Sequence, residues 1–243
     1  LFEFFPELPI ESTPARSCLS RRPFVSSLNF FPKVTVTRKK GAGARSRDSA
    51  AELTREQLLK AAASLFKRQG YAATTLRQIA DAAGIQAGSV YYHFESKDRI
   101  LGEILDLGID LVHQTVLDRL AALPEDASGR EKFAAALEGH LTGLLQHGAY
   151  TSASIRVYGQ LPVELRRPNQ ERRRNYSALW DRLLAEAQAC GEVRGGVDLH
   201  LARLIVLGTI NWTVEWFDPS QGELIDVVRQ MVSILSDGLF ASR

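Results

Sequence analysis

The sequence predicts an all-α fold of about nine helices, and three observations predict it. From Thr54 onward apolar residues recur every three or four positions, no run of alternating β-branched residues interrupts them, and glycine or proline punctuation falls at regular places. The expected organisation is an N-terminal extension over residues 1–50, a three-helix helix-turn-helix unit over 51–98, and a larger helical domain over 99–243.

Each element has its own local reason. Thr54 and Gln57 form a T-x-x-Q capping box, after which Leu58, Ala61, Ala62, Leu65 and Phe66 share one face until Gly70. Thr75 and Gln78 repeat the box. Ile79, Ala80 and Ala83 then supply a buried face, and Gly84 takes the left-handed turn that ends a second, two-turn helix. A third short helix runs from about Ala87 to Tyr92, burying Val90 and closed by Phe94. Ser96 caps a long helix in which Ile100, Leu101, Ile104, Leu105, Gly108, Leu111 and Val112 stay in phase up to Pro124. At roughly 27 residues it is about 40 Å long, a lever reaching from one unit into the next. Further helices are expected near 130–147, 150–158, 169–190, 198–217 and 221–240, bounded by Gly148, Gly159, Gly191, Gly195, Gly196 and Pro219.

Composition narrows the classes. Of 243 residues, 45% are apolar and 24% charged, which is the makeup of an ordinary globular chain rather than a disordered or fibrous one. No apolar run approaches the ~18 residues of a membrane-spanning helix. Cys18 and Cys190 lack His or Cys neighbours at ligand spacing, so neither a disulfide scaffold nor a zinc module is supported, and a cytoplasmic setting is the default. Residues 1–50 carry five prolines and no lasting period, so they read as disordered or as a misassigned start; the Ser/Arg-rich stretch Ser12 to Lys40 also has transit-peptide composition. The net charge of +2 hides an asymmetry: residues 38–101 hold twelve basic and six acidic side chains, whereas 102–243 hold fourteen and nineteen. One short segment is therefore suited to a polyanion while the remainder is not.

That segment coincides with the two short helices. Gly84 permits the turn between them, Ile85 plugs the gap, and Ala87, Gly88 and Ser89 keep the second helix slim enough for a ~12 Å major groove. Tyr91, Tyr92, His93 and Lys97 follow as donors that reach phosphates or base edges. The stretch Thr74-Thr75-Leu76-Arg77-Gln78-Ile79-Ala80-Asp81-Ala82-Ala83-Gly84-Ile85, then Gly88-Ser89-Val90-Tyr91-Tyr92-His93-Phe94 and Ser96-Lys97, resembles the DNA-binding domain of the TetR family of bacterial transcriptional repressors. The resemblance implies that Gln86, Ala87, Gly88, Ser89 and Tyr91 face the groove, and that Tyr92, His93, Lys97, Thr75 and Arg77 meet phosphates or flanking bases. Of the two adjacent tyrosines one is expected to pack inward, with Tyr91 left to read DNA. His93 is either a contact or a helix-end cap, and Thr75 a cap that also touches phosphate. Arg38, Lys39, Lys40, Arg45 and Arg47 form either a solvated tail or an arm along the DNA backbone.

The same resemblance implies a twofold homodimer whose last two helices form a four-helix bundle, with Ile205, Ile210, Trp212, Trp216, Val228, Met231 and Leu235 at the interface and a palindromic operator as target. The apolar residues on more than one face of those helices fit that expectation. Middle helices would enclose a small-molecule effector, lined by His113, His140, His147, Tyr150, Tyr158, Arg173, Tyr176 and Trp180. Arg166, Arg167, Arg172, Arg173 and Arg174, the densest positive cluster of the acidic half, form either a solvated helix face or a receiver for the phosphates of a coenzyme A thioester, with Trp180 against the ligand. The stretch Asn211 to Pro219, with Gly191 eleven residues after Trp180, is similar to TetR-type repressors of fatty-acid and sterol side-chain breakdown, which sense acyl-CoA. No cofactor is expected, and His140 with His147 lacks a third ligand for a metal. The rival readings are an all-α adaptor or ligand carrier whose helix-turn-helix is structural only, and an all-α enzyme. Against the second, the sequence has no G-x-S-x-G, Walker loop or H-E-x-x-H.

Overall fold

The computed structural model describes residues 44–146 and 148–240. Among them lie nine helices of seven residues or more: α1 (Ala44–Gln69), α2 (Leu76–Ala83), α3 (Ala87–His93), α4 (Lys97–Ala121), α5 (Gly129–Gln146), α6 (Gly148–Tyr158), α7 (Gln170–Ala189), α8 (Leu199–Asn211) and α9 (Leu224–Leu239). Single turns at Val163–Arg166, Arg167–Asn169 and Thr213–Trp216 join the later ones. The only strand-like pairing among the described residues is one antiparallel bridge between Val193 and Phe240. None of their helices is long and apolar enough to cross a membrane.

Two expectations need correction. α1 begins at Ala44, inside the segment read as disordered, and Thr54 is not its cap: the Thr54 hydroxyl donates to the Ala50 carbonyl at 2.9 Å, one turn back in a helix already under way. Residues 44–53 contain neither Gly nor Pro, so nothing stops the helix from extending backwards. Arg45 and Arg47 thus sit in the opening turn of α1, while Arg38, Lys39, Lys40 and His147 lie outside the described residues. The helix expected over 198–217 breaks at Trp212, where the Thr213 hydroxyl donates to Ile210 O at 2.7 Å and a separate turn begins.

Elsewhere local chemistry acts as expected. The Thr75 hydroxyl accepts the Gln78 N–H at 3.2 Å while the Gln78 side chain accepts the Thr75 N–H at 2.9 Å, a complete capping box at the head of α2. Ser96 accepts the Arg99 N–H at 3.2 Å at the head of α4. Two apolar cores result. One joins α1, α2, α3 and the first half of α4 through Leu58, Phe66, Ile79, Val90, Phe94, Ile100 and Ile104, with Ala153 and Val157 of α6. The other joins the second half of α4 to α5, α7, α8 and α9 through Val116, Phe133, Leu137, Trp180, Val206 and Val228. α4, 25 residues and about 37 Å long, belongs to both.

Glycines set how closely its neighbours approach. A methyl on Gly139 or Gly143 of α5 would meet the α4 backbone at Val116 Cα (2.8 Å) or Val112 Cα (3.1 Å). Midway along α4 a methyl on Gly108 would meet Ser154 Cβ at 2.6 Å and Tyr150 O at 2.9 Å, both on α6. α4 is therefore gripped from α5 and α6 at backbone contact.

Candidate nucleic-acid interface

The turn between α2 and α3 is made by Gly84, whose φ of 70° lies in the left-handed region that glycine tolerates. The Ile85 N–H then closes onto Ala80 O at 3.0 Å, satisfying a carbonyl that the end of α2 leaves open. Gln86 precedes α3 as its N-cap in extended conformation without spending its side chain on the cap. Val90 is the one fully buried residue of α3, with Phe94 buried just after it. Residues one and two places past Val90 are rotated by about 100° and 200° around the helix. Tyr91 and Tyr92 are accordingly both exposed, at 64% and 83%. The expectation that one of them packs inward is thus wrong: Val90 and Phe94 already fill the inward positions. Gln86, Ala87, Gly88 and Ser89 are exposed too, and a methyl on Gly88 would meet nothing within 4 Å.

The flanking candidates divide. Thr75 and Arg77 are exposed at the head of α2, the Thr75 hydroxyl also being used in the cap. His93 is half-buried with its ring edge-on to Tyr92 at 5.2 Å, and α3 is closed by the Phe94 N–H on Val90 O rather than by the imidazole. Lys97 has an additional task that the sequence did not reveal. Its ammonium donates to Tyr71 O at 2.9 Å and Thr74 O at 2.8 Å and sits 4.1 Å from the Tyr71 ring centre, bracing the loop between α1 and α2. Two of its three N–H groups are thereby committed inside the protein. The Tyr71 hydroxyl bonds Asp98, and burial together with that carboxylate pushes the phenol pKa up.

The residues expected around an effector fall into separate places. His113, His140, Tyr176 and Trp180 gather inside the second core. Because Asn211 Oδ1 can only accept, His140 Nε2 donates to it at 3.1 Å, leaving Nδ1 to accept the Tyr176 hydroxyl at 2.6 Å. Burial pulls both histidines down to about 4, with the Arg182 charge adding to the effect at His113 and the Asn211 bond opposing it at His140, so both are neutral at pH 7. Burial pushes the Tyr176 phenol up. Tyr158 and Arg173 form a second group. The Arg173 guanidinium lies 3.7 Å over the Tyr158 ring and donates to Asn169 Oδ1 at 2.7 Å and Ser154 Oγ at 2.8 Å, and burial lowers it only to about 10, so it stays charged. Tyr150 is half-buried on α6, against the first core.

The arginine cluster is not uniformly open. Arg172 pairs with Asp106 at 3.3 Å and Asp110 at 2.5 Å on α4, and Arg173 is held as described, so only Arg167 and Arg174 project as exposed guanidinium groups, with Arg166 half-buried. Grooves of about 650 and 400 Å³ run between α5 and α9 and are lined by none of the expected effector residues.

On the last two helices, Ile210 and Val228 are buried in the chain's own core and so are not presented to a partner, whereas Met231 and Leu235 are half-buried against that core and keep part of their surface outward. Ile205 (63%), Trp212 (60%) and Trp216 (51%) are exposed, joined by Leu201 on the same face of α8 and by Ile234 on α9. Gly208 lies between them on α8 with open space where a side chain would be, so another backbone can approach closely there.

Sequence reasoning missed Arg156. On α6 it ties α1 to the Thr213–Trp216 turn, and its only signal was a single charge in a helix whose Thr151, Ser152, Ala153 and Ser154 are all buried.

Comparisons with known proteins agree with this geometry. Residues 58–104 match the family model described as bacterial regulatory proteins, tetR family, and residues 126–239 match that of the tetracyclin repressor-like C-terminal domain. The HTH-type transcriptional repressor KstR2 of Rhodococcus jostii is 32% identical over 76% of this chain and 90% of the relative. The fatty acid metabolism regulator protein of Bacillus subtilis is 28% identical over 75% and 94%. The solved ketosteroid transcriptional regulator KstR2 of Mycobacterium tuberculosis superposes with a TM-score of 0.69 at 26% identity, covering 77% of this chain and 95% of that one.

Proposed function

The chain belongs to the TetR family of bacterial regulatory proteins, and from that premise we propose that it is a ligand-responsive transcriptional repressor, acting in the cytoplasm as a homodimer on a palindromic operator. The observation that carries the DNA-binding part is the outward face of α3: a slim row of Gln86, Ala87, Gly88 and Ser89 beside two exposed tyrosines, on a helix that buries only Val90. Gln86 and Tyr91 would read base edges, the small residues would admit thymine methyls, and Tyr92, His93, Thr75 and Arg77 would hold phosphates. Lys97 would offer its remaining N–H while holding the scaffold.

The exposed apolar face of α8 with Ile234 supports the dimer, since such a stripe is costly to leave in water. Two copies would present their α3 helices to half-sites about 34 Å apart. The DNA-binding unit would run over about 51–98 and the effector and dimer unit over 99–243. The effector would enter between α4, α6 and α7, near the neutral His113, His140 and Tyr176. Relatives named for fatty-acid and ketosteroid regulation favour an acyl or steroid-derived acid, and Arg166, Arg167 and Arg174 would suit the phosphates of its coenzyme A thioester. A differential affinity of about 1–3 kcal/mol for the two spacings of the DNA-binding halves is enough to release operator. No catalytic step enters this reading.

Binding of purified protein to duplexes carrying inverted repeats, followed across salt concentration, tests it. A log–log slope of several phosphates and loss of binding in Tyr91→Ala are expected. A monomer, or no duplex binding at low ionic strength, overturns the proposal; operator release unaffected by acyl-CoAs of every chain length overturns the effector class alone.

A further inference from the structure

α6 lies between the two halves of the molecule, and Arg156 is its only charged residue. From α6 the guanidinium meets two other elements at once, the end of α1 and the Thr213–Trp216 turn. Its Nε and Nη2 donate to the two carboxylate oxygens of Glu215 at 2.7 and 3.0 Å, Nη2 also donates to Val214 O at 3.1 Å, and Nη1 donates to Lys67 O at 3.3 Å. Lys67 O is one of the last four carbonyls of α1, which no helical N–H can satisfy, and a positive charge suits that end of the helix. Glu215 stands in the short turn between Trp212 and Trp216, both exposed on the face assigned above to the dimer.

We propose that Arg156 is a positioning residue that sets the spacing of the two DNA-binding halves, by fixing the end of α1 to the turn that carries the dimer face. This rests on the dimeric, operator-binding reading. Only a planar fork of donors reaches two carboxylate oxygens and two carbonyls on different elements together. The ion pair is also about one-third exposed, at 29% and 33%, so it adds little to folding stability. Its main effect is therefore geometric. Without it, α1 keeps its core contacts with α4 and α6 but loses its direct tie to the dimer turn. The relative placement of two α3 helices across the twofold then loosens.

The test fixes both half-sites of a selected operator and varies the spacer, comparing wild type with R156A, R156K and E215Q for binding, dimer mass and helicity. Wild type should favour one spacer sharply. In R156A and E215Q the preference for that spacer over one offset by two base pairs should fall by roughly 2- to 30-fold. Half-site base preferences and dimer mass should stay unchanged, with R156K intermediate. If R156A fails to fold, E215Q, which keeps the shape of the side chain, decides alone. Variants that fold, dimerise and discriminate spacers as sharply as wild type overturn the inference while leaving the repressor reading standing. A wild type that ignores every duplex overturns the repressor reading and this inference with it.

Discussion

Replacing Gly88 by leucine separates the fold of α3 from its use. No atom lies within 4 Å of where a Cβ would stand on Gly88, and its backbone is helical, so the substitution strains nothing inside the chain. Leucine exceeds glycine in helix propensity by roughly 0.8 kcal/mol, which in a domain of this size raises Tm by about 2 °C. The same side chain stands on the face proposed above to enter the groove. Pushing α3 outward by the width of an isobutyl group separates Gln86 and Tyr91 from the base edges. Losing one good base contact costs about 1–3 kcal/mol, so operator affinity should fall on the order of 10- to 100-fold. Weak, salt-sensitive binding to random duplex should survive, because phosphate contacts tolerate some displacement. Thermal unfolding by circular dichroism and fluorescence anisotropy on operator and random duplexes provide the two readings. A Tm several degrees lower would show that Gly88 faces protein; an unchanged operator affinity would show that α3 does not enter the groove.

Three other outcomes follow from the packing. Gly139→Ala brings a methyl to 2.8 Å from Val116 Cα, and overpacking of about 1–3 kcal/mol against a helix-propensity gain of about 1 kcal/mol predicts a Tm drop of up to several degrees by calorimetry. A Tm equal to or above wild type would contradict the close α4–α5 contact. Trp212→Glu places a charge in the exposed apolar face of α8 and should shift the sedimentation profile from dimer to monomer while leaving helicity intact; a dimer of undiminished stability would remove that face from the interface. His113 and His140 are held down at about 4, so the unfolded chain takes up protons first as pH falls below the ordinary histidine value of about 6.5. Their contribution is complete above that value and is lost between about pH 6.5 and 4, on the order of 3 kcal/mol per histidine. Urea unfolding at pH 7.5 and 5 should show this loss, reduced in His140→Gln, and an equal loss in both proteins would refute the assignment.

What the sequence made legible was local. The Thr75–Gln78 box, the Gly84 turn and the Ser96 cap each depend on residues within four positions of one another, and each formed as their chemistry requires. Periodicity likewise placed the helices of the second half close to their observed bounds, except the one expected over 198–217, which ends at Asn211. What escaped depends on partners distant in sequence. Thr54 has the chemistry of a cap but lies inside a helix that started ten residues earlier. Tyr92 looked like an inward aromatic until Val90 and Phe94 filled the inward positions. Ile210 and Val228 are as apolar as Ile205 and Ile234, and only the placement of α5 and α7 decides which of them the chain itself buries. Arg172 and Arg173 looked available because Asp106, Asp110 and Asn169 lie about sixty residues away or behind a turn. Arg156 carried no motif at all.

Because a single helix serves two cores, α4 also fixes an angular register between them. Inserting one residue near Gly108 would turn one core by about 100° relative to the other, whereas seven residues would return it to within about 20° at the expense of roughly 10 Å of separation. A different head grafted onto this body therefore has to arrive in phase, at a junction that preserves the helical count.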